Sequence, residues 1–559
     1  MPASSANKAT SSDSKEKPFP LRLVFLAALA PALLGVFCAG FIAPPMLSPD
    51  TANGLFAWHN FVEGGTWNTI RTVDPANIAQ SVEYPVSWWA PGQYVPLGLL
   101  HSAGLRLGTG IIIISTISIL IFGLGVAALA HVMKAPQRTL PWITLSACAS
   151  YYMLYPFGFF IGGEVAQITV WPWAIFTAWT LRKRTAALII ILSSILLIGA
   201  FGKHSFAIYA LTILAFLWAE AFRDSAKLGM LRTLWGRLWS TTLTLCAVGV
   251  LFLLGRYILI DTSHTPGTLG ITPHGFLESW GYSFCGPLLG VSGVDRTLGY
   301  ISYQFFTIKG EDLWVSLGTL LSVLTLPTLY LYGWLISRKS PIERLTGSVA
   351  LTAGVIFFIL LWRGGAISLE SRHYQPAAIL FLLVLGARAL EKNRVISIGS
   401  RILLSWVVLF GCGTLIQRHI KMRSPQSASY SNQTERLTLG NMPKSVQESL
   451  EGLASLDHSL IVIDTPAQGN ALYKLRHPTT RFLLVDNETE YTSDNERYGR
   501  VPRLVIALQN REVDKSRAKQ LRESFRDYRE DEWSSHELDG WVIWQAGDAV
   551  AVTTNPSQS

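Results

Sequence analysis

Apolar runs long enough to cross a bilayer recur from Leu21 to about Ile420, and this repetition narrows the folds open to the chain more than any other feature. A helix needs about 20 mostly apolar residues to span the hydrocarbon core. Inside lipid every backbone N–H and C=O must be satisfied within the protein, so a chain of this kind crosses as helices. Half of the residues are hydrophobic and the mean hydropathy is +0.32. The runs predict a polytopic α-helical membrane protein with about eleven transmembrane helices, near 22–43, 109–131, 139–160, 165–181, 185–201, 205–221, 239–260, 313–336, 345–364, 374–390 and 398–419.

Charge sets the threading. The formal net charge is +9, but the lysines and arginines sit in short loops between apolar runs, as cytoplasmic loops do, so the excess does not point to nucleic acid. Trp88 to Leu107 is apolar enough to suggest a further span. Pro91, Gly92, Pro96, Gly98, His101 and Gly104 within it favour juxtamembrane helices instead. With that stretch outside, Lys134 and Arg138, the cluster Arg182-Lys183-Arg184, then Arg223, Lys227, Arg232, Arg237, Arg338, Lys339, Arg344, Arg388, Lys392 and Arg394 all fall on the inner side. Met1 to Pro20 is rich in Ser and Lys and reads as a disordered cytoplasmic tail of residues 1–20. The span that follows is too long for a removed signal peptide. The five cysteines, Cys38, Cys148, Cys246, Cys285 and Cys412, are scattered, with neither a disulfide framework nor a zinc spacing among them.

This threading divides the chain into a membrane domain over residues 21–420, with outer loops at 44–108 and 261–312, and a water-soluble segment over 421–559 on the outer side. In that last segment Ser459–Asp464, Arg481–Asp486 and Arg503–Leu508 read as short buried strands, and Lys444–Leu456 and Lys515–Phe525 as helices. Strands alternating with helices predict a small C-terminal α/β domain.

Charged groups collect at the outer helix ends. Asp50 follows Leu47-Ser48-Pro49 at the mouth of the first span, and Glu83 lies further along the same loop. Glu164 follows Gly162-Gly163, Lys203-His204 joins the fifth and sixth spans, Arg363 ends the ninth, and Glu370-Ser371-Arg372-His373-Tyr374 precedes the tenth. Carboxylates can take a proton from an attacking hydroxyl or hold a metal. Arg, Lys and His can hold a phosphate and stabilise its charge as it leaves. Acids and bases on one membrane face therefore suit transfer of a phosphate-activated group. Each residue also has a plainer reading. Asp50 would cap the following helix, and Glu164 would sit in a first turn favoured by the helix dipole. Lys203 would snorkel to the interface, Arg372 would pair with Glu370, and His204 and His373 would be polar packing. Glu83, ahead of Tyr84-Pro85, would be a turn residue, and Arg256 would pair with Asp261.

Taken together, these motifs resemble the GT-C superfamily of integral membrane glycosyltransferases, and look most like its protein O-mannosyltransferase and aminoarabinose-transferase group. The likeness rests on Ser48-Pro49-Asp50 after the first helix and the Pro-rich stretch Trp88-Trp89-Ala90-Pro91-Gly92-Gln93-Tyr94. Gly163-Glu164, Gly202-Lys203 and Ser371-Arg372-His373-Tyr374-Gln375-Pro376 complete it. It covers roughly residues 21–420. Glu164 stands where the group usually has Asp, and His373 separates the Arg from the Tyr of the late element. The resemblance implies transfer of a sugar from a polyprenyl-phosphate donor to a glycan, lipid or protein acceptor at the outer face of a bacterial inner membrane. It implies Asp50 as general base or acceptor-orienting acid and Glu164 as its assistant, with a divalent cation held by Asp50 and Glu164 as one use of the pair. Lys203, Arg372 and His373 would bind the donor phosphate. Glu83, His204, Arg363 and Glu370 would support the site, and the first-loop helices would line the lipid entrance. Two other classes stay open: a transporter or flippase of lipid-linked sugars, and a non-catalytic assembly protein that keeps the scaffold.

Overall fold

A computed structural model describes residues 19–74, 76–86, 90–228, 231–259, 275–293, 311–364, 369, 371–423, 431–432, 435–438, 443–456, 458–464, 480–485, 496–509 and 515–547. Eight helices among them are long and apolar enough to cross a membrane. They are Leu21–Ile42, Leu107–Val132, Thr185–Gly202, Phe206–Ser225, Leu231–Leu251, Leu317–Ser337, Pro341–Trp362 and Arg394–Met422. The helices share one continuous core that runs from Val24 and Phe122 through Cys148, Trp171 and Tyr209 to Tyr282, Phe357 and Leu380. Large apolar side chains such as Phe25, Phe41, Trp235, Leu326 and Leu409 are exposed on the outside of the bundle. That inverted surface is what lipid requires, and the chain is an integral membrane protein.

The helix pattern departs from the sequence expectation in four places. The 139–160 run is not one span: Leu140–Cys148 and Tyr151–Gly158 are separate short helices, broken at Ser150, whose backbone is extended (φ −62°, ψ 151°). The 374–390 run gives only Gln375–Arg388, 14 residues, about 21 Å of helix at 1.5 Å per residue and short of the roughly 30 Å of hydrocarbon. Gly162–Leu181 is helical over 20 residues with Pro172 inside it, but is not among the eight apolar candidates. Finally, Phe276–Ser292, expected within the 261–312 loop, is a helix whose Tyr282, Cys285 and Leu289 belong to the main core. Its glycines explain the fit, since a Cβ on Gly281 would stand 2.1 Å from the Gly318 carbonyl oxygen and one on Gly286 would stand 2.5 Å from the Tyr374 ring. Trp88, Trp89, Asp261 and Glu370, singled out above, lie outside the described residues.

Eleven strands occur among the described residues: β1 (Met46–Leu47), β2 (Thr69–Asp74), β3 (Asn77–Pro85), β4 (Phe159–Phe160), β5 (Ser431–Asn432), β6 (Leu437–Thr438), β7 (Ser459–Asp464), β8 (Arg481–Val485), β9 (Arg503–Gln509), β10 (Ser534–Leu538) and β11 (Trp541–Ala546). They form three sheets. A miniature one has the order β4-β1-β6-β5, the β2–β3 hairpin is the second, and the third is a five-stranded sheet of order β10-β11-β9-β7-β8. In the five-stranded sheet β8, β7 and β9 run parallel, while β11 and β10 are antiparallel. Helix Lys444–Ala454 packs Val446 and Leu450 on one of its faces, and Leu521 of helix Lys515–Glu523 packs on the other. The β2–β3 hairpin lies against the same sheet, with Val73 and Ile78 joining Leu460, Val462 and Leu504 in one cluster.

Candidate active site

Two parallel strands join the turns that carry two acids. In the miniature sheet β1 and β4 are parallel neighbours, with Leu47 opposite Phe160. Asp50 follows Leu47 by three positions and Glu164 follows Phe160 by four, so both carboxylates begin helices at the same end of adjacent strands. The two turns are also bonded to each other. The Ser48 N–H donates to the Phe160 carbonyl (3.0 Å), and the Gly162 N–H donates to the Thr51 hydroxyl (3.2 Å). Ser48 is the N-cap of helix Pro49–Val62, its hydroxyl oxygen accepting the Thr51 N–H at 3.2 Å. Asp50 is therefore not the cap but a first-turn residue.

Glycines set the next contact. A Cβ on Gly162 would lie 1.8 Å from the Gln93 carbonyl oxygen, and one on Gly163 would lie 2.7 Å from Gln93 Oε1 and 3.1 Å from the Gly202 carbonyl oxygen. Only a bare backbone fits there, which draws the start of helix Gly162–Leu181 onto the end of helix Ser193–Gly202 and against Gln93. Lys203, the next residue, then reaches Glu164, with Nζ 2.5 Å from Oε1.

The third participant comes from far along the chain. Arg372 Nη1 stands 3.8 Å from the same Glu164 oxygen. Its short helical turn, Ser371–Tyr374, is fixed from three directions. Trp171, two turns beyond Glu164 on the same helix, donates its indole N–H to the Pro376 carbonyl at 2.7 Å. The Tyr209 hydroxyl donates to the His373 carbonyl, and the Tyr152 hydroxyl bonds the Ser371 hydroxyl. One carboxylate thus faces two cations, with side chains only 15% (Glu164), 19% (Lys203) and 28% (Arg372) exposed. Shielding of that degree makes the charges count for more than in a surface pair.

Among the other expected residues, His204 directly follows Lys203 and its carbonyl accepts the Ala207 N–H at 3.1 Å, opening the next helix. The His373 ring lies 6.5 Å from Phe357, beside the Arg372 turn. Arg363 caps helix Pro341–Trp362 and is exposed. Glu83 lies on β3 and organises the hairpin, accepting the Asn60 side-chain amide (3.1 Å) and the Thr66 N–H (3.1 and 3.2 Å). One residue was not singled out individually from the sequence. Gln93 is 5% exposed, and its amide nitrogen meets no acceptor among the described residues. The signal for it was the Gly162-Gly163 pair, which demands a close neighbour just before the acid.

Glu83 carries a pH prediction. Partial burial pushes its carboxyl up, but the hydrogen bonds from Thr66 and Asn60 and the charge of Arg71 opposite it outweigh that and hold it below the ordinary carboxylate range. A lowered carboxyl stabilises the fold above its unfolded pKa and ceases to do so as pH falls through the lowered value. Protection of the 69–85 amides against exchange is expected to decline on acidification in the wild type and to lose that pH dependence in Glu83→Gln. An unchanged pH dependence in the variant would remove Glu83 as the cause.

No family model and no curated protein matches this chain. Its backbone is similar to that of ArnT from Cupriavidus metallidurans bound to undecaprenyl phosphate (TM-score 0.50, 12% identity, 94% of this chain and 97% of that one). It is also similar to the arabinofuranosyltransferase AftD from Mycobacteria (TM-score 0.48, 11% identity), of which it spans 94% of its own length but 40% of the other. For the oligosaccharyltransferase of Archaeoglobus fulgidus the TM-score is 0.42 at 11% identity, over 84% of this chain and 64% of that one. The chain has the fold of the GT-C membrane glycosyltransferases.

Proposed function

We propose that this protein is a glycosyltransferase that moves a sugar from a polyprenyl-phosphate donor to an acceptor at the outer face of a bacterial inner membrane. The observation that carries the reading is the single carboxylate Glu164 held by Lys203 and Arg372 beside the Asp50 turn. A hydroxyl of the acceptor attacks the anomeric carbon while the bond from that carbon to the phosphate oxygen breaks. The proton of the hydroxyl goes to the Asp50 carboxylate, and the electron pair leaves with the lipid phosphate. Lys203 supplies a point charge and Arg372 a planar donor fork to that phosphate, and His373 borders it. Glu164 keeps the two cations apart and aimed while the site is empty of donor, and Gln93 offers its amide N–H groups to sugar or acceptor hydroxyls. The undecaprenyl phosphate bound to the structurally similar ArnT supports a donor of this chemistry.

A divalent cation is the other use of the carboxylates. Glu164 Oε1 already faces Lys203 at 2.5 Å and Arg372 at 3.8 Å, two positive charges that a metal would have to oppose. The residues do not fit a resident metal, and no step is routed through one. The transporter reading is weaker because its polar groups belong near the bilayer midplane, whereas Glu164, Lys203 and Arg372 sit at helix termini.

The test is release of free polyprenyl phosphate from a sugar-loaded carrier by the purified protein, together with the lipid-linked sugar pool in cells with and without it. An unchanged pool and no release would end the reading. The orientation has its own test. The lysine and arginine loops lie on the side opposite Asp50 in the threading, so a reporter active only in the cytoplasm, fused after Ser559, is expected to be silent. A strong signal would overturn the outer-face assignment.

A further inference from the structure

The last 120 or so residues do more than follow the membrane domain, because they grip the segment that carries Asp50 on both sides. Ahead of Asp50, β1 is an inner strand of the four-stranded miniature sheet. One edge pairs with β4, which leads to Glu164, and the other edge pairs with β6, with Met46 opposite Thr438. The Thr438 N–H donates to the Pro45 carbonyl (2.9 Å) and its hydroxyl to the Pro44 carbonyl (2.8 Å). The β6 segment is itself wedged in place. The Leu107 N–H donates to Glu435 Oε2 (2.9 Å), and a Cβ on Gly108 would stand 1.9 Å from the Arg436 carbonyl oxygen. After Asp50, Phe56 of the same helix meets Phe482 of β8 with ring centroids 5.7 Å apart, against the core of the five-stranded sheet. The hairpin that follows is tied to the same strand. Thr72 donates its hydroxyl to the Phe482 carbonyl (3.1 Å), and Arg481 donates to the Ile78 carbonyl (2.7 Å).

We propose that the C-terminal part is a positioning element for Asp50, with Thr438 and Phe482 as its two fixing points and the proposed transfer reaction as the activity it serves. The helix that carries Asp50 packs Ala52, Leu55 and Trp58 against Leu97, Leu107, Ile111 and Val165 on one side, and the Thr438 and Phe482 contacts hold its two flanks from the other. The turn that carries Arg372 is gripped separately, by Trp171, Tyr209 and Tyr152. Loosening the C-terminal grip therefore misplaces the acid and leaves the phosphate site intact.

The experiment uses the full chain in lipid nanodiscs. Phe482→Ala is expected to raise amide exchange over residues 49–62 and to lower turnover at saturating donor at least about tenfold, since an ångström of misplacement can remove far more. Its Kd for undecaprenyl phosphate, measured directly, is expected to stay within about twofold, and Phe482→Tyr, which keeps the ring, should restore both other readouts. Thr438→Val, nearly isosteric, supplies the same test where Phe482→Ala does not fold. Unchanged exchange over 49–62 in the folded variants would overturn the proposal, as would a fall in undecaprenyl phosphate affinity parallel to the fall in turnover. If the wild type transfers no sugar, the proposed function fails, and the exchange measurement still decides whether the grip exists.

Discussion

Asp50→Asn is expected to lower sugar transfer by about 10²–10⁴-fold, the range that a positioned general base contributes, and to leave the chain folded. The two effects separate because of where Asp50 sits. Ser48, not Asp50, accepts the Thr51 N–H at the helix start, so the cap survives the substitution. What the first-turn carboxylate gives to the helix dipole is about 0.3–1 kcal/mol, too little to unfold a membrane bundle. Asn keeps the size but loses the negative charge and the ability to take a proton, and puts an NH2 donor where one carboxylate oxygen was. Turnover and melting temperature of the purified variant are the measurements. Wild-type turnover would reduce Asp50 to a helix-start residue, and a lost fold would return the loss of activity to packing.

The membrane class was legible in the sequence because hydrocarbon accepts few alternatives to long apolar helices, and Leu107–Val132 and Pro341–Trp362 carry that signal without interruption. The short or polar helices were harder. Phe276–Ser292 carries Gly281, Gly286, Pro287 and Gly290 with Glu278 in its first turn, so its hydropathy falls, yet those glycines are what let it pack against Gly318 and Tyr374. Close packing and apparent loop character come from the same residues. The site divides in the same way. Glu164, Lys203 and Arg372 could be picked out as charges at helix ends, but their meeting at one oxygen depends on Trp171 reaching Pro376 and Tyr209 reaching His373. Those contacts join residues more than 150 positions apart and leave no local pattern. The pairing of Arg372 with Glu164 also supplies an alternative to the local Glu370 pairing that spacing alone suggests. Two-residue strands such as β1, β4 and β6 are invisible to periodicity, and they are what joins the Asp50 turn to the Glu164 turn.

Glu164→Gln is expected to destabilise the empty protein and to make it respond more strongly than the wild type to undecaprenyl phosphate. The substitution leaves Lys203 and Arg372 facing each other with no anion between them. Breaking a buried pair by removing one partner costs about 3–5 kcal/mol, and the lower end applies because Lys203 and Arg372 remain 19% and 28% exposed. If the two cations bind the donor phosphate, Glu164 is the anion that phosphate competes with. Removing it both exposes the cost and frees the site, so the ligand should bind the variant more tightly. A ligand that binds only the folded state stabilises by RT ln(1 + [L]/Kd), so the rise in melting temperature with undecaprenyl phosphate should be larger in Glu164→Gln than in the wild type. Lys203→Ala on the Glu164→Gln background should abolish that excess, and Arg372→Lys should reduce it, because an ammonium cannot reproduce the bidentate fork. Equal shifts in the wild type and Glu164→Gln would mean that the phosphate is held elsewhere, and Lys203 and Arg372 would then be parts of the scaffold that joins three helices.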